Sequence, residues 1–317
     1  MKDLVVIVLL NYNQNDYTLK CIDSLLELNY DNFRIMLIDN GSTQVNANEL
    51  EEKLPKNEKL FYRRVEENIG YSQGTNYGLK EGKKMNPGYF LIMNNDTIID
   101  KNAVNELVKT SKEYKDKVLV TGKVYHYDEP DKLQFVGYRY INKRIMTFQH
   151  LGLDESDTGQ YDRTEERDMI DDIFVLHPIS LYDTLGGYTP YLWVNGVNID
   201  LAMRAMNKGY KLIFTPLAKL WHKGSVSIGG RDMNPRMAYW NIQSSLILRY
   251  LYLNKSNFII YYLMTIVSII RTSFKSVYLK LFKGKDITNY AKAKYKGLSY
   301  FNKWVFSKKH DNGFNPY

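Results

Sequence analysis

The sequence predicts an α/β fold built around a parallel sheet, and three observations carry that reading. Short apolar runs alternate with helical patterns through the first hundred residues. The first run, residues 5–10, is apolar without a break, as a strand covered on both faces must be. Four runs end in polar clusters, and the carboxyl ends of strands are where open α/β sheets bind ligands.

Taken in order, the strand at 5–10 leads into Asn11-Tyr12-Asn13 and then a helix with Leu19, Ile22, Leu25 and Leu26 on one side. A second strand at 33–38 ends at Asp39-Asn40-Gly41-Ser42. A third at Leu60–Val65 leads to Glu67-Asn68-Ile69-Gly70 and a glycine-punctuated helix through Leu79. The fourth, Tyr89–Met93, ends at Asn94-Asn95-Asp96-Thr97. From about 118 to 150 the pattern turns to β, with strands expected at 125–127, 134–141 and 145–150. Residues 154–168 are acidic and polar and read as a surface loop. Residues 174–185 lead to Gly186-Gly187, a helix around 198–208 and a strand at 211–214, and residues 236–282 are helical by pattern.

The 317 residues are 44% hydrophobic and 14% aromatic, enough to bury a sizeable core, and 27 tyrosines supply apolar area with a polar tip. One cysteine, Cys21, excludes an internal disulfide and a multi-cysteine zinc site, and its apolar-periodic position makes it core filler. The chain enters its first strand without a secretory pattern, so a cytoplasmic location is expected. Net charge is +8, but residues 1–250 carry 31 Lys+Arg against 33 Asp+Glu. Residues 251–317 carry 12 against Asp286 and Asp311 alone, so the basic charge belongs to the C-terminal segment. A nucleic-acid binder is disfavoured, since no nucleic-acid module accompanies that charge.

The ordered set Asn11-Tyr12-Asn13, Asp39-Asn40-Gly41-Ser42, Asn68-Ile69-Gly70 running to Gly78, and Asn94-Asn95-Asp96 resembles the successive motifs of family 2 glycosyltransferases. Leu185-Gly186-Gly187-Tyr188, Asp200 to Arg204, Lys208-Gly209-Tyr210 and Trp221-His222 continue the match over roughly residues 4–250, with the rhamnosyltransferase-like branch most similar. The resemblance implies a GT-A fold, a Rossmann-like nucleotide-binding half (about 1–120) fused to an acceptor half (121–250), followed by a basic helical extension at 251–317. It implies an enzyme, a hexosyl- or deoxyhexosyltransferase using a UDP- or dTDP-sugar, with inversion, on a growing bacterial surface glycan.

Under that resemblance the donor is held by Asn11, Asn13, Asp39, Asn40, Gly70, Asn76 and Asn95. Asp39 at a strand end suits a base N–H or ribose hydroxyl, and a glycine-rich helix entry at Gly70 can offer N–H groups to phosphate. Gly74 and Gly78 fit close backbone approach equally well. Asn94-Asn95-Asp96 stands at the family's metal-binding Asp-X-Asp, so Asp96 is the main carboxylate, Asn94 offers a carbonyl oxygen, and His222 is a second ligand for Mn²⁺ or Mg²⁺. His126, His150, His177 and His310 have no ligand-like spacing.

The chain departs from the family where the general base belongs. Asn198 occupies that position, and an amide cannot take a proton. The remaining carboxylates are Asp200, which an i,i+4 pairing with Arg204 would occupy, and the Asp171-Asp172 pair, which a solvated loop end would explain equally. The alternative function is a catalytically weak or inactive nucleotide-sugar or glycan-binding relative. The 13-residue apolar run at 258–270, too short to span a bilayer, with Arg271, Lys275, Lys280, Lys283 and Lys285 behind it, fits an interfacial helix on anionic lipid. Peripheral attachment at the inner face of a bacterial plasma membrane, with an oligosaccharide or lipid-linked saccharide acceptor, follows from these expectations.

Overall fold

The structure is a computed structural model that describes residues 2–224 and 233–306. The chain forms two compact units, one of residues 1–139, 149–189 and 198–224, the other of residues 140–148, 190–197 and 225–317.

The first unit is built on β1 (Val5–Asn11), β2 (Phe33–Asn40), β3 (Leu60–Val65) and β4 (Tyr89–Met93), all parallel in the order β3-β2-β1-β4. Helices α1 (Asn15–Leu26), α2 (Gln44–Lys53) and α3 (Tyr71–Lys83) make the crossovers. The register sets Asn11 of β1 beside Asp39 of β2, so two polar clusters meet at one sheet edge. Val5 to Leu9 are 0–1% exposed, which explains the unbroken apolar run.

Gly74, Gly78 and Gly82 lie at i,i+4 spacing on the face of α3 turned to β1. A Cβ on them would stand 2.6 Å from Leu10, 2.6 Å from Val8 and 2.7 Å from Val6, so these glycines let the helix lie against the strand. Helix α3 runs four residues beyond Leu79, and Gly70, at φ +85°, starts it.

The sheet continues through β11 (Phe174–Pro178), antiparallel to β4, then β6 (Val118–His126) and β12 (Lys211–His222), which are parallel to each other. Short strands β5 (Thr97–Ile99), β7 (Leu133–Phe135) and β10 (Glu165–Glu166) add to it, and α4 (Ala103–Glu113), α5 (Ile179–Leu185) and α6 (Val197–Asn207) complete the order. The expected strand at 134–141 is divided, because Gly137 takes φ +118° where Arg167 packs against it, giving β7 and β8 (Tyr138–Asn142). Strand β12 extends eight residues past the predicted end, shifting register between Phe214 and Lys219, and this carries His222 into the sheet. The acidic 154–168 segment is partly anchored, since buried Lys123 pairs with Asp157 at 2.7 Å and Asp162 at 2.6 Å.

The second unit contains α7 (Pro235–Tyr252), α8 (Lys255–Lys283) and α9 (Thr288–Phe306). The helical pattern of 236–282 breaks at Leu253, where Asn254 caps α8 by accepting from the Asn257 N–H. The sequence boundary at 250/251, drawn from the family match and the charge shift, lies within α7. With 29 residues, α8 is about 44 Å long, so the 13-residue apolar run understated it. It is long and apolar enough to cross a membrane by length and composition. The tip of the β8–β9 (Thr147–His150) hairpin belongs to this unit. The extension's residues 307–317, with His310 and Asp311, lie outside the described residues.

Candidate active site

At the carboxyl ends of β1, β2 and β4 a network of buried amides forms. Asn11, 0% exposed, donates through Nδ2 to Asp39 Oδ2 at 2.9 Å, and its Oδ1 accepts from Thr18 Oγ1 at 2.9 Å and the Gln14 N–H at 3.2 Å. Asn95 donates to Thr18 Oγ1 at 2.7 Å, joining β4 to the same network. Asp39 Oδ1 accepts from the Ser42 N–H at 2.9 Å, with Arg64 Nε 3.9 Å away. Both Asp39 oxygens are therefore engaged by the protein, and their visible work is to join the ends of β1 and β2 in a buried site that tolerates no unpaired charge.

Asn13 holds φ +55° and presents Oδ1 to the Thr43 N–H at 3.0 Å and Asn46 Nδ2 at 2.8 Å. Asn40 accepts from the Ile69 N–H at 3.4 Å and donates to the Gly70 carbonyl at 3.2 Å, which fixes the turn before α3. Asn76 clips the main chain of Tyr188 from both sides at 2.8 Å, one turn inside α3, so its polar atoms are not presented to a donor.

Asp96 and His222, 126 positions apart, are brought together with Nε2 3.2 Å from Oδ1. Strands β5 and β12 make the meeting possible by pairing Thr97 opposite His222. His222 Nδ1 lies 2.5 Å from Gln134 Oε1, and in the neutral tautomer that donates to this oxygen Nε2 is the nitrogen left to accept. In that tautomer a carboxylate oxygen and an imidazole nitrogen stand together at a buried strand end, with the far ring nitrogen held by an oxygen, a donor set that suits a divalent cation. Asn94 differs from expectation, because its amide nitrogen, not its carbonyl, lies 3.1 Å from His222 Nε2. Among the described residues no group of three or more His, Cys, Asp or Glu gathers.

Asp171 and Asp172 precede β11, which runs antiparallel beside β4 with Ile173 accepting from the Asn94 N–H at 3.0 Å. This sets the acidic pair at the sheet edge that carries Asn94-Asn95-Asp96. Asp171 accepts from the Asp172 N–H at 2.8 Å, the Ile173 N–H at 3.2 Å and the Tyr138 hydroxyl at 3.1 Å. Asp172 Oδ2 accepts from the Tyr188 hydroxyl at 2.9 Å. The Tyr71 hydroxyl is buried against the same carboxylate without a hydrogen bond of full geometry. Burial first, and then the Asp171 charge, push Asp172 well above the ordinary carboxylate range, and burial beside these acids pushes Tyr71 and Tyr188 well up.

Asn198 donates Nδ2 to the Ile170 carbonyl at 3.2 Å, tying α6 to the chain just before the acidic pair. Asp200, 0% exposed, binds Arg204 Nε at 2.8 Å, and Arg204 also donates to the Gly187 carbonyl at 2.8 Å. That places Asp200 in a buried clamp between α6 and the 185–187 corner.

Sequence reasoning missed Gln134 as the partner of His222, Thr18 as the link between Asn11 and Asn95, and the tyrosines around Asp172. The abundance of tyrosine was the available signal, but nothing local marked which ones converge. Of the other histidines, His126 pairs with Asp154 at 2.7 Å, His150 packs on Phe135 and Tyr138, and His177 is buried, its pKa pushed down to about 4 by burial.

Residues 6–174 match the family described as Glycosyl transferase family 2. Glycosyltransferase GlyG of Streptococcus pneumoniae is 29% identical over 131 residues, 41% of this chain and 42% of that protein. Glycosyltransferase GlyA of the same organism is 28% identical over 144 residues, 44% of this chain and 20% of that protein. Poly-beta-1,6-N-acetyl-D-glucosamine synthase of Staphylococcus aureus is 23% identical over 232 residues, 71% of this chain and 51% of that protein. The matches thus span about half the length of these relatives or less. Among solved structures, GalNAc-T7 with UDP, GalNAc and Mn²⁺ superposes with a TM-score of 0.60 at 13% identity, covering 96% of this chain and 57% of that one. At that identity the likeness is one of fold, and the fold is GT-A.

Proposed function

We propose, for a chain that belongs to glycosyl transferase family 2 over more than half its length, transfer of a sugar from a nucleoside-diphosphate donor to a growing bacterial surface glycan. The observation that carries this reading is the meeting of Asp96 and His222 beside the buried amide network. The donor's nucleoside is read as UDP or dTDP and its sugar as a hexose or deoxyhexose, as rhamnosyltransferase-like motifs imply. Asn11, Asn13, Asp39, Asn40, Gly70 and Asn95 shape the pocket that receives it, while Asn76 acts through the Tyr188 corner.

Asp96 and His222 would hold Mn²⁺ or Mg²⁺, which would neutralise the diphosphate as the nucleotide leaves. Asp172 is the base. Its raised pKa makes it a stronger proton acceptor than an ordinary carboxylate, and Tyr188 orients it. Its carboxylate takes the acceptor hydroxyl proton, the hydroxyl oxygen bonds to the anomeric carbon from the side opposite the diphosphate, and the C–O bond to the diphosphate breaks with its electrons. That displacement inverts the anomeric centre. Asp171 supports Asp172 through charge and backbone order, and Asp200 is a structural clamp.

The binding-only reading draws on Asn198, whose amide is committed to the Ile170 carbonyl. Asp172, with raised proton affinity at the same edge as Asp96, favours transfer instead. The acceptor is read as an oligosaccharide or lipid-linked saccharide, and α8 with its basic residues attaches the protein peripherally to the inner face of the plasma membrane. A panel of UDP- and dTDP-sugars, assayed for release of nucleoside diphosphate with a bacterial lipid-linked acceptor fraction and Mn²⁺, tests the function. Acceptor-dependent release is expected for at least one donor. Binding without turnover for every donor would leave the binding-only reading.

A further inference from the structure

Most of the apolar residues of α8 face away from the other helices of their unit, although Ile269 is buried and Phe258 packs on Tyr250 and Phe301. Ile260, Leu263, Val267, Phe274, Val277 and Leu281 are 45–75% exposed, and at 100° per residue they share a face about 100° wide. The opposite face is fixed in place. Thr265, Ile269 and Ser276 are buried there, the Tyr262 hydroxyl donates to Asn302 at 2.9 Å, and Lys294 Nζ donates to Thr272 at 2.9 Å and Ser268 at 3.1 Å.

Beside α8 stands the tip of the β8–β9 hairpin, where Ile141 is 69% exposed and Lys143 and Arg144 are exposed. Arg249 ties this tip to α8. It donates to the carbonyls of Ile145 at 2.7 Å and Met146 at 2.5 Å while its guanidinium lies 3.9 Å from the centre of the Tyr261 ring. Neither α8 nor residues 139–148 contains an acid, whereas Lys143, Arg144, Arg271, Lys275 and Lys283 are present; Lys280 pairs with Asp286, just past α8, at 3.0 Å.

We propose that α8 and this hairpin tip form one docking surface for an anionic phospholipid bilayer, with α8 lying in the membrane plane and not crossing it. The inference rests on the membrane reading above and adds a geometry and a second anchor to it. An exposed apolar patch of this extent marks an interaction face. A second copy of the chain is the poorer occupant, because self-pairing would set Arg271 and Lys275 against their own kind with no acid on the helix to answer them. Anionic headgroups answer them directly. Crossing is opposed by the fixed face, since α8 in hydrocarbon would carry along α9 with Lys292, Lys294, Lys296 and Lys303. In the plane, the apolar face enters the lipid and the cations stay at headgroup level.

Flotation of the full-length protein with phosphatidylglycerol-containing vesicles, and with phosphatidylcholine vesicles alone, tests the surface. Binding to the anionic vesicles is expected. The triple change Leu263→Glu, Phe274→Glu and Leu281→Glu should weaken it more than about tenfold. Lys143→Gln with Arg144→Gln should weaken it about fivefold for each charge removed. All of these side chains are exposed, and unchanged melting temperatures would show that the variants fold.

Single cysteines at Ser256→Cys and Lys285→Cys, treated on vesicles with a membrane-impermeant maleimide, test the geometry. The native Cys21 is buried with its thiol pushed up to about 12, which keeps background low. Labelling of both ends from outside supports the in-plane helix. Labelling of one end only would overturn the in-plane geometry while the membrane reading survived. Unchanged binding of the hairpin variant would overturn the second anchor. No vesicle binding by the native chain, or a dimer in sedimentation equilibrium that the glutamates dissociate, would overturn the membrane reading itself.

Discussion

The two compact units treat polar groups in opposite ways. The first draws asparagines and aspartates inside: Asn11 and Asp39 are 0% exposed at the strand ends, and Asp96 and His222 are nearly as buried. The second turns apolar groups outward: Phe274 and Leu281 are 75% and 70% exposed along α8. Buried polar groups are costly unless every partner is present, so their concentration at one sheet edge marks a site with chemistry to arrange. Exposed apolar groups are the converse, a surface made for something other than water. Under the proposed function, the contrast separates where donor sugar would be handled from where the protein would be held.

The largest expected effect breaks the inward-polar side of that contrast at its reactive point. Asp172→Asn should lower turnover by about 10²–10⁴-fold with donor affinity little changed, read as kcat against a donor titration. Asp171→Asn should cost less. Removing its charge lowers the proton affinity of Asp172, so the acid limb of the rate profile should move to lower pH. Full turnover in Asp172→Asn would remove it as the base.

Asp200 separates structure from chemistry within the same unit. Asp200→Ala strands Arg204 and should destabilise the protein by about 3 kcal/mol in denaturant unfolding. A loss of kcat with stability unchanged would contradict its role as a clamp.

Gln134 sharpens the metal reading. Gln134→Leu removes the acceptor that holds His222 Nδ1, and Mn²⁺ affinity should fall about 10–100-fold with the fold retained. Unaltered affinity, measured by calorimetry, would show that His222 needs no orientation.

The smallest effect is on stability. Because the folded-state pKa of Asp172 is raised, the native protein binds a proton there that the unfolded chain has released. Its contribution is fully present below the ordinary Asp value and fades as pH rises through the raised one. Asp172→Asn should therefore flatten the fall in stability over that window, and an unchanged slope would oppose the shift.

The parallel half of the sheet was legible in the sequence because each of its strands is a short apolar run ending in a polar cluster. Leu60–Val65 and Tyr89–Met93 match their predicted bounds. The meeting of Asp96 with His222 followed only from the family resemblance, since 126 positions separate them and no local pattern joins them. Gly74 and Gly78 left packing and phosphate binding open, and the close approach of α3 to β1 explains them. Asn76 looked like a donor contact from its motif, yet its amide matches the Tyr188 main chain, a long-range fit that spacing does not encode. The length of β12 was hidden by Pro216 and by the register shift that the sheet absorbs there. The outward face of α8 was hidden because a strictly apolar run counts residues without asking which side they occupy.

Calorimetric titration of UDP and dTDP, in Mn²⁺ and in EDTA, bears most directly on the central claim that Asp96 and His222 hold a cation for the donor diphosphate. The account predicts binding at least about tenfold tighter with Mn²⁺ for one of the two nucleotides, and no difference between the two conditions in Asp96→Ala. Equal affinity with metal and with chelator in the native protein, for both nucleotides, would contradict it.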